Sequence, residues 1–207
     1  MDDESLMRDL RSIRSNLDIL NDDGMTYLKW FASFGTLLYM IRDKNLGVEY
    51  TQDIDISIIA PYNQEKIISR FEEDGFQIVT IIRNDLTDEI LFVDFKSPNG
   101  ISLDLFFWIE CNGHLWHTYD YWAERNSNGI PGKYHFKSLP NWMVSGDPYK
   151  YQWFNEELEI KIPKLYGTLL DYWYPHWFIP DNEFGQSRTN KIIELKNCLN
   201  LTEVLSV

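Results

Sequence analysis

The amino-acid sequence predicts one α/β domain whose aromatic C-terminal third packs on it as a subdomain. Three observations carry that prediction. Segments of helical and of alternating apolar period follow one another over the first half of the chain. Single charges stand inside apolar runs of strand length, as in VEYTQDIDISIIAP and ISLDLFFWIE. The 207 residues are enough for one full hydrophobic core, or for a core with an appended subdomain.

The elements can be justified in order. Residues 4 to 20 place Leu6, Leu10, Ile13, Leu17 and Leu20 at helical spacing, with Ser5 as a candidate cap and Gly24 as a stop. MTYLKWFAS (25–33) is aromatic enough for a short strand. Gly35 opens TLLYMIRDK, a helical turn or two ending near Gly47. VEYTQDIDISIIAP reads as a strand closed by Pro61. NQEKIISRFEEDG (63–75) is an amphipathic helix with Ile67, Ile68 and Phe71 inward, stopped by Gly75. FQIVTIIR (76–83), EILFVDFKS (89–97) and ISLDLFFWIE (101–110) read as strands, with a hairpin at SPNG.

Beyond Gly113 the pattern loosens. HLWHTYDYW reads as a strand and RNSNGIPGK as a loop. Residues 133–163 are aromatic and irregular, except that LEIKIP alternates like a strand. LYGTLLDYWYPHW (165–177) is helical until Pro175, and TNKIIELKNCLNL closes the chain as a helix. No repeat or linker marks a boundary. A core of about residues 1–112 and a subdomain of about 113–207 are expected.

Formal net charge is −13, from 32 acidic and 19 basic residues. Such a chain repels a phosphate backbone, and no Lys/Arg cluster offsets this, so nucleic acid is not an expected partner. The acid serves solubility, or some of it serves as metal ligands. Cys111 and Cys198 lie far apart and outside any CxxC pattern, which suits a reducing compartment. The acidic N-terminus lacks an apolar h-region, and no run of about 18 apolar residues occurs. A cytoplasmic protein without an integral membrane segment is therefore expected.

The chemistry concentrates in the isolated acids. Residues i and i+2 of a strand share a face, so Asp53 and Asp55 project together, about 6.6 Å apart at the backbone. Ile54, Ile56 and Ile58 then face the core. Two such carboxylates repel unless a positive charge lies between them, and a divalent cation supplies one. Asp104, between Leu103 and Leu105, is again one charge in an apolar strand. On a neighbouring strand, about 4.8 Å away, it would join the pair. Three carboxylates on adjacent strands suit two-metal phosphoryl chemistry, with ions about 3.5–4 Å apart. The alternative is that these acids sit at strand ends or on a solvated face. Asp94 is a rival for the third position, with Lys96 on its own face as a pairing partner.

Gly35 and Thr36 stand before an apolar helix, where free N–H groups and a partial positive charge suit phosphate. Arg42 follows, and a guanidinium suits a diphosphate. The same GTLL recurs at 167–170 with no acidic strand after it, so the pair says little alone. CNGHLWH offers Cys111, His114 and His117 without a fourth zinc ligand at matching spacing, so turn and strand positions are expected for the histidines. The aromatic run YWYPHWFIP packs in the core or walls a cytosine ring or quaternary ammonium.

FGTLLYMIRDKNLGVEYTQDIDISI resembles the signature of the LicD/fukutin family of phosphotransferases. That signature reads Gly-Thr-Leu-Leu, an arginine, a basic residue, then Trp-Asp-Asp-Asp-Ile-Asp. LDLFFW resembles a later Asp-Ile-Phe segment, and IKIPKLYGTLLDYWYPHWFIPD resembles the C-terminal pattern of Ile-Pro, a helix, Tyr-Gly, Trp and Pro. Together these cover residues 28 to about 181. The departures are Tyr50 for the tryptophan, Thr51 and Gln52 for the first two aspartates, Tyr39 for a small residue, and a longer step from Arg42 to Tyr50.

The resemblance implies a polymerase-β-like nucleotidyltransferase fold of the α/β (α+β) class, a mixed sheet flanked by helices. It implies Mg²⁺ or Mn²⁺ on Asp53, Asp55 and Asp104, which are also the catalytic residues. Gly35, Thr36, Arg42, Lys44, Tyr174 and Trp177 would bind the donor. The implied reaction moves a phospho-alcohol such as phosphocholine from a CDP-linked donor to a sugar hydroxyl of a glycan, as in lipopolysaccharide or teichoic acid biosynthesis. Two alternatives are a nucleotidyltransferase acting on a small molecule and a catalytically silent glycan-binding relative.

Overall fold

The computed structural model describes residues 3–19, 28–44, 53–59, 63–83, 89–111, 113–118, 136–144, 150–154, 158–174 and 176–179. The first helix, α1 (Asp3–Ile19), buries Met7, Leu10, Ile13 and Leu17 along one stripe, as the spacing predicts. Strand β1 (Lys29–Ala32) leads through Ser33 into α2 (Phe34–Arg42), and β2 is Asp53–Ile59. Helix α3 (Gln64–Glu73) starts at Asn63, whose side chain accepts from the Lys66 N–H at 3.0 Å, and buries Ile67, Ile68 and Phe71. It stops where Gly75 takes φ +84°, a left-handed position that glycine occupies without strain.

Next come β3 (Gln77–Arg83), β4 (Ile90–Lys96) and the long β5 (Ser102–Cys111). Ser97 and Ile101 close the predicted hairpin between the last two with a 2.8 Å backbone bond. The rest of the fold is β6 (His114–Thr118), β7 (Phe136–Pro140), a 3₁₀ turn (Asn141–Met143), β8 (Lys150–Phe154), β9 (Leu158–Ile162) and α4 (Tyr166–Trp173). Among the described residues, seven strands share a sheet ordered β1-β2-β5-β4-β3, with β6 on β5 and β7 on β6, while β8 and β9 pair separately. The sheet is mixed: β2 and β5 run parallel and the other pairs are antiparallel. Mixed α/β architecture with flanking helices is thus as expected. No helix of the described residues is long and apolar enough to cross a membrane.

Two expectations need correction. Residues 136–140 and 150–154 lie in the stretch read as irregular, yet they form β7 and β8. Their register against β6 and β9 supplies the order that their own pattern lacks. Helix α2 also begins one residue before Gly35, at Phe34. The loop at 125–133, Tyr50, Thr51 and Gln52, and the closing helix all lie outside the described residues.

The two faces of the sheet differ in filling. Ile54, Ile56, Ile58, Val93, Phe95, Leu103, Leu105 and Phe107 face α1 and α3 and are buried. Phe71 of α3 meets Phe95 at 5.3 Å between ring centres. At the end of α1, Asp18 accepts from Trp30 Nε1 at 3.1 Å and from Lys161 Nζ of β9 at 3.0 Å. Lys161 also lies 4.9 Å from the Trp30 ring centre, so the β8–β9 pair leans on the edge of the core. The opposite face carries the acids; α2 packs on it at β2, and α4 packs on α2 through Trp173 and Phe34. The isoleucines are therefore not alone in burial: every residue from Ile54 to Ile59 is buried, Asp55 and Ser57 included.

Candidate metal centre

The parallel register of β2 and β5 places Asp55 opposite Asp104 and Asp53 opposite Ser102. The antiparallel register of β4 and β5 places Asp94 on the other side of Asp104. Partners in register point to one face, so three adjacent strands present a row of carboxylates, Asp55, Asp104 and Asp94, with Asp53 one step along. Ligand oxygens of Asp53, Asp55 and Asp104 all lie within 4.8 Å of one another. The apolar residues between them anchor each strand from the opposite face, which holds the acids in place.

The electrostatics follow from that crowding. Burial raises the pKa of Asp55 well above the usual carboxylate range, and the charges of Asp53 and Asp104 add to this. Backbone N–H groups of Thr36 and Gly35 pull it part of the way back. Asp104 is pushed up to about 8, by burial first and then by Asp94 and Asp53. Asp94 is raised by burial, relieved by the Ser102 hydroxyl (3.2 Å) and by Lys96. A solvated sheet face would not do this, and Asp55 is only 8% exposed. Three hard oxygen donors that repel one another at this spacing fit a divalent cation.

Thr36 is tied to Asp55 from both ends. Its backbone N–H donates to Asp55 Oδ2 at 3.3 Å, and its hydroxyl oxygen accepts from the Asp55 N–H at 2.8 Å. The Ser33 N–H donates to the Asp55 carbonyl at 3.0 Å. Thr36 is 1% exposed, so its first role here is to fix Asp55. Gly35 sits beside it at the start of α2.

The other expected donor residues lie elsewhere. Arg42 ends α2, about 10 Å of helical rise from Gly35, and its Nε and Nη2 donate to Asp43 at 2.8 and 2.6 Å. That pairing raises its pKa. Lys44 is exposed just beyond the helix, at φ 58°. Tyr174 is buried in the hydrophobic core, and Trp177 is half-buried with its Nε1 donating to Asp171 at 2.8 Å. His114 and His117 fall on opposite faces of β6, which rules out their sharing a metal.

The flank of the site is built by aromatics, of which Phe34, Phe106 and Trp108 were not singled out from the sequence, while Trp173 lies in the run YWYPHWFIP. The Phe34 ring lies 4.8 Å from Phe106, 4.4 Å from Trp173 and 5.1 Å from His117. Phe106 and Trp108 follow Asp104 at two-residue steps, so strand alternation was the signal that could have found them.

The site thus defines a carboxylate centre able to hold a divalent cation. The sequence matches no family model. It is 30% identical over 97 residues to a ribitol-5-phosphate transferase, FKTN, of Mus musculus. The match takes in 47% of this chain and 20% of that protein, so the chain spans about one-fifth of the length of the curated relative it matches.

Proposed function

We propose that the chain is a metal-dependent phosphotransferase of the LicD/fukutin kind, on a polymerase-β-like nucleotidyltransferase fold. It moves a phospho-alcohol from a CDP-linked donor to a sugar hydroxyl of a glycan. The observation that carries this reading is the β2–β5 register, which gathers Asp53, Asp55 and Asp104 within 4.8 Å. The partial likeness to a ribitol-5-phosphate transferase supports it.

The metal site belongs to a core of about residues 1–112, on which a subdomain of about residues 113–207 packs. Asp53, Asp55 and Asp104 hold Mg²⁺ or Mn²⁺, which when bound supplies positive charge against the donor phosphates and the in-line transition state. Gly35 and Thr36 bring the start of α2 to the diphosphate, Arg42 and Lys44 add cationic charge from the far end of that helix, and the half-buried Trp177 offers a ring to the base, backed by the buried Tyr174. The acceptor oxygen attacks the phosphorus bearing the alcohol, CMP leaves with the bond electrons, and Asp104 takes the hydroxyl proton.

A donor screen of CDP-ribitol, CDP-glycerol, CDP-choline and CDP-ethanolamine tests the reading through release of CMP. Asp53→Asn is expected to abolish release without changing the circular dichroism spectrum; activity near wild type in that variant would sink the assignment. Pyrophosphate from a nucleoside triphosphate, in place of CMP, would indicate nucleotidyl transfer to a small molecule. No product, together with no thermal shift on adding Mn²⁺, would indicate a catalytically silent relative.

A further inference from the structure

We propose that Phe34 is a positioning residue for the carboxylate centre, a strained hook that sets Gly35 and Thr36 against Asp55. The inference rests on the metal-site reading above and adds observations of its own. Phe34 has φ 41°. That left-handed conformation is strained for a residue with a Cβ. The turn is concentrated there. Ser33 is still extended, with φ −126° and ψ 177°, and the Leu37 N–H already bonds the Ser33 carbonyl at 3.0 Å. The chain passes from strand to helix within one residue.

Such a conformation persists only where its surroundings over-determine it. Here the ring does so. Phe34 is 5% exposed and packs on Phe106 and Trp108 of β5, His117 of β6 and Trp173 of α4. Phe106 and Trp108 lie on the same face of β5 as Asp104. The ring is therefore fixed to the strand that bears one acid, while the adjoining backbone delivers Thr36 to another. Packing alone does not require this. Phe71 and Phe95, on the opposite face, are fully buried without a positive φ.

The test compares Phe34→Leu, Phe34→Gly and Phe34→Tyr with a packing control, Phe95→Leu. Amide hydrogen exchange at Thr36 and Asp55 is read on metal-free protein, and Mn²⁺ affinity is read by titration. Phe34→Leu should speed exchange at both amides about tenfold or more and weaken Mn²⁺ binding about 10–100-fold. Phe34→Tyr should restore both. Phe95→Leu should lower the melting temperature and leave both readouts at wild-type values. Phe34→Gly removes the φ penalty along with the ring, so it answers the question even if Phe34→Leu does not fold. Wild-type protection in either ringless variant overturns the proposal. If the wild type binds no Mn²⁺ while the ringless variants lose protection, the hook stands and the metal reading alone fails.

Discussion

The same strands build two faces of the central sheet, and the two are filled in different ways. On one, Ile54, Leu103, Leu105 and Phe95 meet α1 and α3 as an apolar layer. On the other, Asp55, Asp104 and Asp94 stand in one row, next to Ser57, Phe106 and Phe92 in the following one. The first face gains free energy from each apolar area it removes from water. The second loses some, because burial and mutual repulsion oppose the charged state of its acids. The first face stabilises an arrangement that the second could not hold alone. Function here draws on stability generated about one strand thickness away.

That division can be broken most sharply at Asp55. Asp55→Asn keeps the size of the side chain and removes a charge that the fold tolerates poorly. Phosphoryl transfer should fall by about 10²–10³-fold or more, by analogy with the loss of one electrostatic contact to a transition state. The metal-free protein should melt at the same or a higher temperature. Loss of both activity and stability would mean that Asp55 is structural and that the two faces are not distinct in kind.

The opposite face should respond in reverse. Phe95→Ala truncates a ring packed on Phe71 and Phe76 and should cost about 3–5 kcal/mol of unfolding free energy. Molecules that stay folded should bind Mn²⁺ as the wild type does. Denaturant melts with and without the ion check this.

The smallest effect is a pH slope. The carboxyl of Asp104 has its folded pKa raised from an ordinary 3.8 to about 8. Between those values the folded state holds a proton that the unfolded state has released. Stability is therefore fully present below about pH 4, falls as pH rises towards 8, and levels off above it. The melting temperature of metal-free protein should drop by a few degrees from pH 5 to 8. Asp104→Asn should flatten much of the slope, leaving what Asp55 and Asp94 contribute. Saturating Mn²⁺ should flatten it too, because the ion competes with the protons. A melting temperature rising over that range would contradict the burial of these acids.

The legible part of this site was its chemistry. Asp53, Asp55 and Asp104 announce themselves because a lone charge in an apolar run is costly unless partnered. Alternation placed Asp53 and Asp55 on one side, and helix α3 was readable from Ile67, Ile68 and Phe71. Partner strands were not. That β2 lies against β5 is decided by long-range pairing, and local pattern carries no trace of it. β7 and β8 escaped notice for the same reason. Thr36 was assigned to a ligand because the motif precedes a helix; that it first holds Asp55 depends on how β1, α2 and β2 pack together. The left-handed Phe34 could not be read at all, since phenylalanine has no preference for that conformation.

The parallel pairing of β2 with β5 also bears on how the molecule assembles. β3, β4 and β5 follow one another as an antiparallel meander and can form from local contacts. β1 and β2 are paired across α2 as a second unit. Only docking of the two along the β2–β5 seam brings Asp55 to Asp104, and that step closes a long loop while forcing like charges together. Refolding is therefore expected to be slowest at this seam, which stopped-flow refolding of Asp55→Asn against wild type would check. A divalent cation present during refolding should speed that step, so the ion would act as an assembly factor before it acts in any reaction.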